Sequence, residues 1–235
     1  MDIAMTNEQN QPPDLMVFLA SSVHDMKNSV SVLSAHLEKL LAENTPDTFP
    51  GYAQTAQMLY EVKRVNCNLI QLLTLYKVGE QHYPFDPREH SIDEFVREVL
   101  MQSRALFDSL KIEIITEYPE DLTWYFDEDL VNGVVNHALN NASLYTKGKI
   151  KLIIRKIDKL LEIRVEDNGK GYPPAMLAQG ASLARGVSFA TGSTGLGLYF
   201  SAVVASMHKN RGRTGGMALE NGGTWNGGCF VMRLP

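Results

Sequence analysis

The sequence predicts an α+β protein: an N-terminal antiparallel helical hairpin that forms a dimeric four-helix bundle, followed by an α/β sandwich. Three observations predict it. Residues 15 to 78 carry apolar residues at spacings of three and four in two runs, parted by the proline-bearing segment Asn44-Thr-Pro-Asp-Thr-Phe-Pro50. Residues 111 to 118, 149 to 157 and 160 to 166 alternate apolar and polar side chains, as half-buried strands do. Helical segments lie between and after those strands, so helices gather on one face of a mixed sheet.

In chain order, residues 1–13 are polar, end in Pro12-Pro13 and read as a disordered arm. The hairpin spans 14–80. Asp14 is its expected N-cap, and Leu15, Leu19, Met26, Val30, Leu33, Leu37 and Leu40 form one stripe on the first helix. Met58, Val62, Val65, Leu69, Leu72 and Tyr76 do the same on the second, which ends at Gly79. A lone hairpin leaves part of each stripe in water, so two copies are expected to pair as a homodimer. Residues 81–90 carry two prolines and read as a linker. The sandwich spans 91–235. Within it a helix runs from Ile92 to Leu110 behind a Ser91 cap with Glu94 in the capping-box position, another runs from Phe126 to Leu144, a hairpin turns about Asp158-Lys159, and a helix from Leu196 to His208 precedes a C-terminal strand.

Composition excludes several functions. The chain has 235 residues, 44% of them hydrophobic, enough for packed cores, and no window approaches 18 consecutive apolar residues, so no membrane segment is expected. The N-terminus lacks the basic-then-apolar layout of an export signal, so the expected location is cytoplasmic. Cys67 and Cys229 have no ligand-like spacing, which argues against a zinc site or a disulfide framework. A net charge of −5 without a basic stripe argues against nucleic acid.

Chemistry centres on Asp167-Asn168-Gly169-Lys170-Gly171 at the end of the alternating run Leu161 to Glu166. Glycines there let the backbone turn sharply beside a flat group, and the carboxylate can accept a hydrogen bond from an exocyclic amine. Upstream, His137 and Asn141 stand four apart on one helix face, with Tyr145 a further turn along. Downstream, Gly192-Ser-Thr194-Gly195-Leu196-Gly197 opens onto a helix whose free N–H groups suit phosphate. In this order the three segments resemble the adenine- and phosphate-binding boxes of the ATPase domain shared by histidine kinases, gyrase, Hsp90 and MutL. The closing Gly227 to Pro235 resembles the last strand of histidine kinase catalytic domains. The resemblance implies ATP held by His137, Asn141, Tyr145, Asp167, Gly169, Gly171, Gly192, Thr194, Gly195, Leu196 and Gly197, with Mg2+ on the Asn141 carboxamide oxygen. His137 stands where relatives carry Asn or Glu. Leu144 replaces a basic side chain near the phosphates, for which Lys147 can substitute. The Ala-, Gly- and Ser-rich stretch between Gly171 and Gly192 is expected to act as a lid.

On the first helix, His24 lies about 180° from the apolar stripe and Asn28 one turn further on, so both are expected to face solvent. The run Phe18 to Ser29, with His24 followed by Asp25 and then Asn28, resembles the phosphoacceptor box of histidine kinases, with Ser29 where that box usually has Pro. The resemblance implies a neutral imidazole as phosphoryl acceptor, Asp25 orienting the ring and taking its proton, and Asn28 holding the water that hydrolyses a phospho-receiver. The whole reads as the core of a two-component histidine kinase, passing its phosphoryl group to an Asp on a response-regulator receiver and signalled by a separate sensor or regulatory protein. Two alternatives are a histidine phosphotransfer or phosphatase module that does not use ATP, and a Ser/Thr kinase of the anti-sigma type, which lacks the paired helices.

Overall fold

The computed structural model describes residues 15–179 and 195–235. The expected arm 1–13, the Asp14 cap and most of the expected lid lie outside the described residues. Two helices, α1 (Leu15–Ala42) and α2 (Tyr52–Gly79), form the hairpin. Their shared core is Leu41, Ala56 and Leu59, with Leu37 and Tyr52 packed against it. The α1 stripe read from the sequence is only partly this face: Met26, Leu33 and Leu40 are exposed, whereas Ser34 and Leu41 are buried. Met58, Val65 and Leu72 of α2 are exposed as well. Apolar residues on these helices thus serve two faces, and a single stripe merges them.

After α2 the chain enters β1 (Arg88–Ser91), which overlaps the end of the segment read as a linker and pairs antiparallel with β3 (Thr123–Phe126). Helix α3 (Ile92–Ser109) starts behind Ser91, whose Oγ accepts from the Glu94 N–H at 3.4 Å. Strand β2 (Glu113–Glu117) follows α3, and helix α4 (Glu128–Tyr145) follows β3. Phe126 and Asp127, which the sequence placed inside α4, instead close β3 and cap the helix, Asp127 Oδ1 accepting from the Leu130 N–H at 3.1 Å.

Strands β4 (Lys149–Ile157) and β5 (Leu160–Asp167) form the expected hairpin about Asp158-Lys159, and a short helix, α5 (Pro174–Gln179), follows. Helix α6 (Leu196–Met207) leads into a small pair, β6 (Lys209–Asn210) and β7 (Arg213–Thr214), and then β8 (Gly216–Gly222), a 3-10 turn at Gly223–Trp225 and β9 (Gly227–Leu234). The main sheet has the order β2-β4-β5-β9-β8, with β2 and β4 parallel and the other pairs antiparallel. The α+β sandwich is therefore present, with more strands than alternation revealed. β8 lies in a stretch with few apolar residues and several glycines, and β1, β3, β6 and β7 have four residues or fewer.

Leu161, Ile163 and Val165 of β5 point into the core with Val131, Val135 and Phe200 from α4 and α6. Each fully buried aliphatic side chain contributes about 1.5–3 kcal/mol, so this face fixes the register of β5 and hence where the strand ends. The other face differs from the half-exposed strand the sequence implied, because Glu162 and Glu166 are also buried. Glu162 accepts from Arg155 Nε at 3.1 Å and from Arg233 Nε at 2.8 Å, and Arg164 Nε donates to Glu166 at 3.3 Å. The arginine stems lie over the sheet, so the charged side chains bury one another.

Candidate nucleotide site and phosphoacceptor helix

Register delivers Asp167 to the last position of β5, where the residue is only 6% exposed. Its Oδ1 accepts from the backbone N–H of Gly169 at 2.6 Å and of Gly228 at 3.3 Å. Two N–H donors fix the carboxylate and leave Oδ2 without a hydrogen-bond donor among the described residues, available to a ligand. Gly169 packs against the carbonyl oxygen of Tyr145, and a β-carbon there would collide with it. Asn168 joins the two boxes: its Oδ1 accepts from Thr146 Oγ1 at 2.7 Å and from the Lys147 N–H at 2.8 Å.

His137, Asn141 and Tyr145 share one face of α4. Asn141 Nδ2 lies 3.0 and 3.1 Å from the two His137 ring nitrogens, so the amide sits over the ring instead of in line with one lone pair. The amide oxygen accepts no hydrogen bond among the described residues. Burial lowers the His137 pKa to about 4, which keeps the ring neutral near pH 7. Gly197, in the first turn of α6, lies directly against that ring, and an added β-carbon would overlap it. Gly195 caps α6 with φ +61°, and Leu196 opens the helix. Gly192 and Thr194 lie outside the described residues. The structure thus brings His137, Asn141, Tyr145, Asp167, Gly169, Gly171 and the start of α6 to one end of the sandwich.

His24 is placed elsewhere. It is exposed on α1, with Nδ1 3.6 Å from Asp25 Oδ1 and 3.4 Å from Asn28 Nδ2, so the three expected residues do cluster. His24 lines the rim of a cleft of about 1070 Å³ between the hairpin and the α3–α4 surface, whose far wall includes Asn132, Asn136 and Asn140. Asn141, Tyr145 and Asp167 are not among its lining residues, so His24 and the candidate nucleotide residues form two separate sets in this arrangement.

The second set lies in the part of the chain that resembles known proteins most specifically. Residues 126–235 match the family described as Histidine kinase-, DNA gyrase B-, and HSP90-like ATPase. This stretch, which holds α4 to β9, is the part of the chain that is similar to that ATPase family. Over 98% of its length the chain is 24% identical to sensor protein SrrB of Staphylococcus aureus, and it spans 40% of that protein. Among solved structures, the catalytic domain of histidine kinase ThkA aligns with 64% of this chain and 95% of its own, at a TM-score of 0.54 and 23% identity. Acinetobacter baumannii histidine kinase AdeS aligns with 90% of this chain and 96% of its own, at a TM-score of 0.56 and 18% identity. ShkA, solved with AMPPNP, aligns with 95% of this chain and 46% of its own, at a TM-score of 0.61 and 19% identity. The described chain has the fold of a two-component histidine kinase core.

The structure adds residues to this end of the sandwich that the motifs do not include. Asn168 entered the sequence reading only as a turn residue, yet it ties β5 to the end of α4. Asp127 and His208 lock the other ends of the two site helices: the Asp127 N–H donates to His208 Nε2 at 3.0 Å, and His208 Nδ1 lies 2.8 Å from the Val204 carbonyl. Tyr83 and the Asp86 N–H, from the segment leaving α2, both donate to the Asp127 carboxylate at 3.1 Å. An N-cap Asp before an amphipathic run signals Asp127; nothing in the sequence signals its union with His208, 81 residues away.

Proposed function

We propose that the chain is the ATP-dependent core of a protein-histidine kinase acting in the cytoplasm. One observation carries this reading: a buried Asp167, held by two backbone N–H groups and with Oδ2 open, in the same chain as an exposed His24 flanked by Asp25 and Asn28. Oδ2 accepts a hydrogen bond from the adenine amine, while Gly195, Leu196, Gly197 and the α6 N-terminus face the phosphates, with Gly192 and Thr194 completing that box. Among the described residues no group of three or more His, Cys, Asp or Glu could hold a metal. The donor set therefore fits Mg2+ only as one amide oxygen, from Asn141, plus nucleotide phosphates and water. Bound there, the ion supplies charge neutralisation for the phosphoryl group.

Because Nδ1 of His24 lies towards Asp25, Nε2 is the free nucleophile. Its lone pair forms the N–P bond as the γ-phosphorus to bridging-oxygen bond of ATP breaks and ADP leaves, and Asp25, which orients the ring, takes up the Nδ1 proton. The phosphoryl group then passes to an Asp of a response-regulator receiver, and Asn28 positions water for the reverse, phosphatase, role. Transfer to His24 of the same chain requires the hairpin and the catalytic unit to change their relative position; transfer to His24 of the partner in the dimer is the other route. Residues 14–80 serve as the dimerisation and phosphoacceptor unit and 91–235 as the catalytic unit, with a separate protein supplying the signal.

With γ-labelled ATP and Mg2+, the protein acquires a label stable to base and lost in acid, and His24→Gln abolishes it while ATP still binds. Persistence of the label in His24→Gln overturns the acceptor assignment. One observation favours a second reading, a phosphotransfer or phosphatase module without ATP: Leu144, where relatives have a basic residue, is an exposed apolar side chain beside the site. Failure to bind Mg-ATP in titration selects that reading.

A further inference from the structure

Glu166 and Asp167 are neighbours on β5, and their side chains leave opposite faces of the sheet. Asp167 meets the nucleotide side. Glu166, only 3% exposed, points to the other side, where its Oε2 accepts from the Thr224 N–H at 2.8 Å and Arg164 holds Oε1. Its carboxyl carbon lies against Gly223, 2.5 Å from where a β-carbon would be. The turn that Glu166 grips joins β8 to β9, and the chain leaving it passes over Asp167. Gly228 donates its N–H to Asp167 Oδ1, and a β-carbon on Gly228 would stand 2.7 Å from Oδ2. At the other end of the same turn, Asn221 makes a two-point clamp on the chain just after Gly171: its Oδ1 accepts from the Tyr172 N–H at 2.6 Å, and its Nδ2 donates to the Tyr172 carbonyl at 2.9 Å. The turn therefore touches the Asp167 loop at its start, at the carboxylate and at its exit.

We propose that the β8–β9 turn, residues 221–228, is a brace that sets the position of the Asp167 carboxylate, and that Glu166 and Asn221 are positioning residues for base recognition that never touch the nucleotide. The brace has two anchors on opposite sides of the loop, so Asp167 keeps its aim only while both hold. Removing one anchor lets the carboxylate drift from the exocyclic amine, and the hydrogen bond weakened by that drift is the one that distinguishes adenine from a base without the amine. The inference rests on the reading of Asp167 as the adenine-amine acceptor.

The test compares ATP with inosine triphosphate, which lacks the amine, using the full chain and calorimetric titration. For the parent protein ATP binds more tightly, and Asp167→Asn lowers this preference by about 10-fold, as expected when one buried charge-assisted hydrogen bond is removed. Asn221→Ala and Glu166→Gln are expected to lower the preference several-fold by weakening ATP while inosine triphosphate binds as before, and Asn221→Gln does not restore it because the longer amide misses both Tyr172 groups. Glu162→Gln, on the same charged face but away from the turn, lowers the melting temperature and leaves the preference unchanged. Equal weakening of both nucleotides by Asn221→Ala and Glu166→Gln, or no change in either, overturns the brace. If Asp167→Asn itself leaves the preference intact, the reading of Asp167 is what fails.

Discussion

Gly197 lies so close to His137 that no β-carbon fits between α6 and the imidazole ring. The two residues come from different boxes, one on α4 and one on α6, and each limits what the other can be. Gly197→Ala is expected to force the helices apart and to destabilise the protein by about 1–3 kcal/mol, the usual cost of overpacking. Adding His137→Ala to Gly197→Ala makes room and recovers part of that stability. Thermal unfolding of the two single variants and the double variant checks this; strictly additive effects would show that the two side chains do not share space.

Acid sensitivity follows from the same ring. The folded-state pKa of His137, about 4, lies below its ordinary 6.5, so between those values the unfolded chain binds the extra proton and the folded chain does not. Stability is complete above about pH 6.5, falls as pH drops towards 4 and then levels off, a decrease of about 1–3 kcal/mol. Denaturant titrations at pH 7, 5.5 and 4.5 measure it. In His137→Asn this part of the acid limb is expected to disappear.

Asn168 accepts three bonds that join the end of β5 to the segment after α4, from Thr146 Oγ1, the Lys147 N–H and, at 3.2 Å, the Lys149 N–H. Asn168→Ala removes the acceptor these donors share, and a destabilisation of about 1–3 kcal/mol is expected. Asn168→Asp keeps the acceptor and should recover most of it, as read by chemical denaturation.

The exposed apolar side chains of the hairpin, Met26, Leu33, Leu40, Met58, Val65 and Leu72, predict self-association. Light scattering at tens of micromolar is expected to give twice the chain mass, and Leu33→Asp with Val65→Asp to give the monomer. A parent protein that is monomeric would refute the dimer.

How far the fold could be read from the sequence depended on which interactions shape each part. β5 alternates cleanly and β4 does so apart from Ile153, because one face of each meets a hydrocarbon core, and α3 carries a capping serine, so all three were legible. Asp167, Gly169 and the His137 to Asn141 spacing are local patterns and were legible too. Glu162 and Glu166 looked like solvent-facing residues, since alternation records polarity and says nothing of an arginine such as Arg233 arriving on Glu162 from 71 residues along the chain. The first α1 stripe was ambiguous for a related reason: a helix that meets α2 on one side and carries apolar residues on another presents two overlapping periodicities. β8 carries too few apolar residues to announce itself, and its partner β9 alone gives it an edge to pair with.

Desolvation pushes up both native thiols, Cys67 to about 11 and Cys229 to about 12, with Cys229 buried and Cys67 partly exposed on the wall of the cleft. A thiol in that state reacts slowly with alkylating reagents at neutral pH. Cys229, which is also enclosed, is thus slow towards maleimide, and Cys67→Ser removes the one native thiol that is partly exposed. A cysteine introduced on the exposed surface of α1 and another on the rim of the ATPase domain would be the two sites that take a dye pair. Energy transfer between them would report, molecule by molecule, how often α1 approaches the Asp167 end of the sandwich, the movement that the proposed function requires.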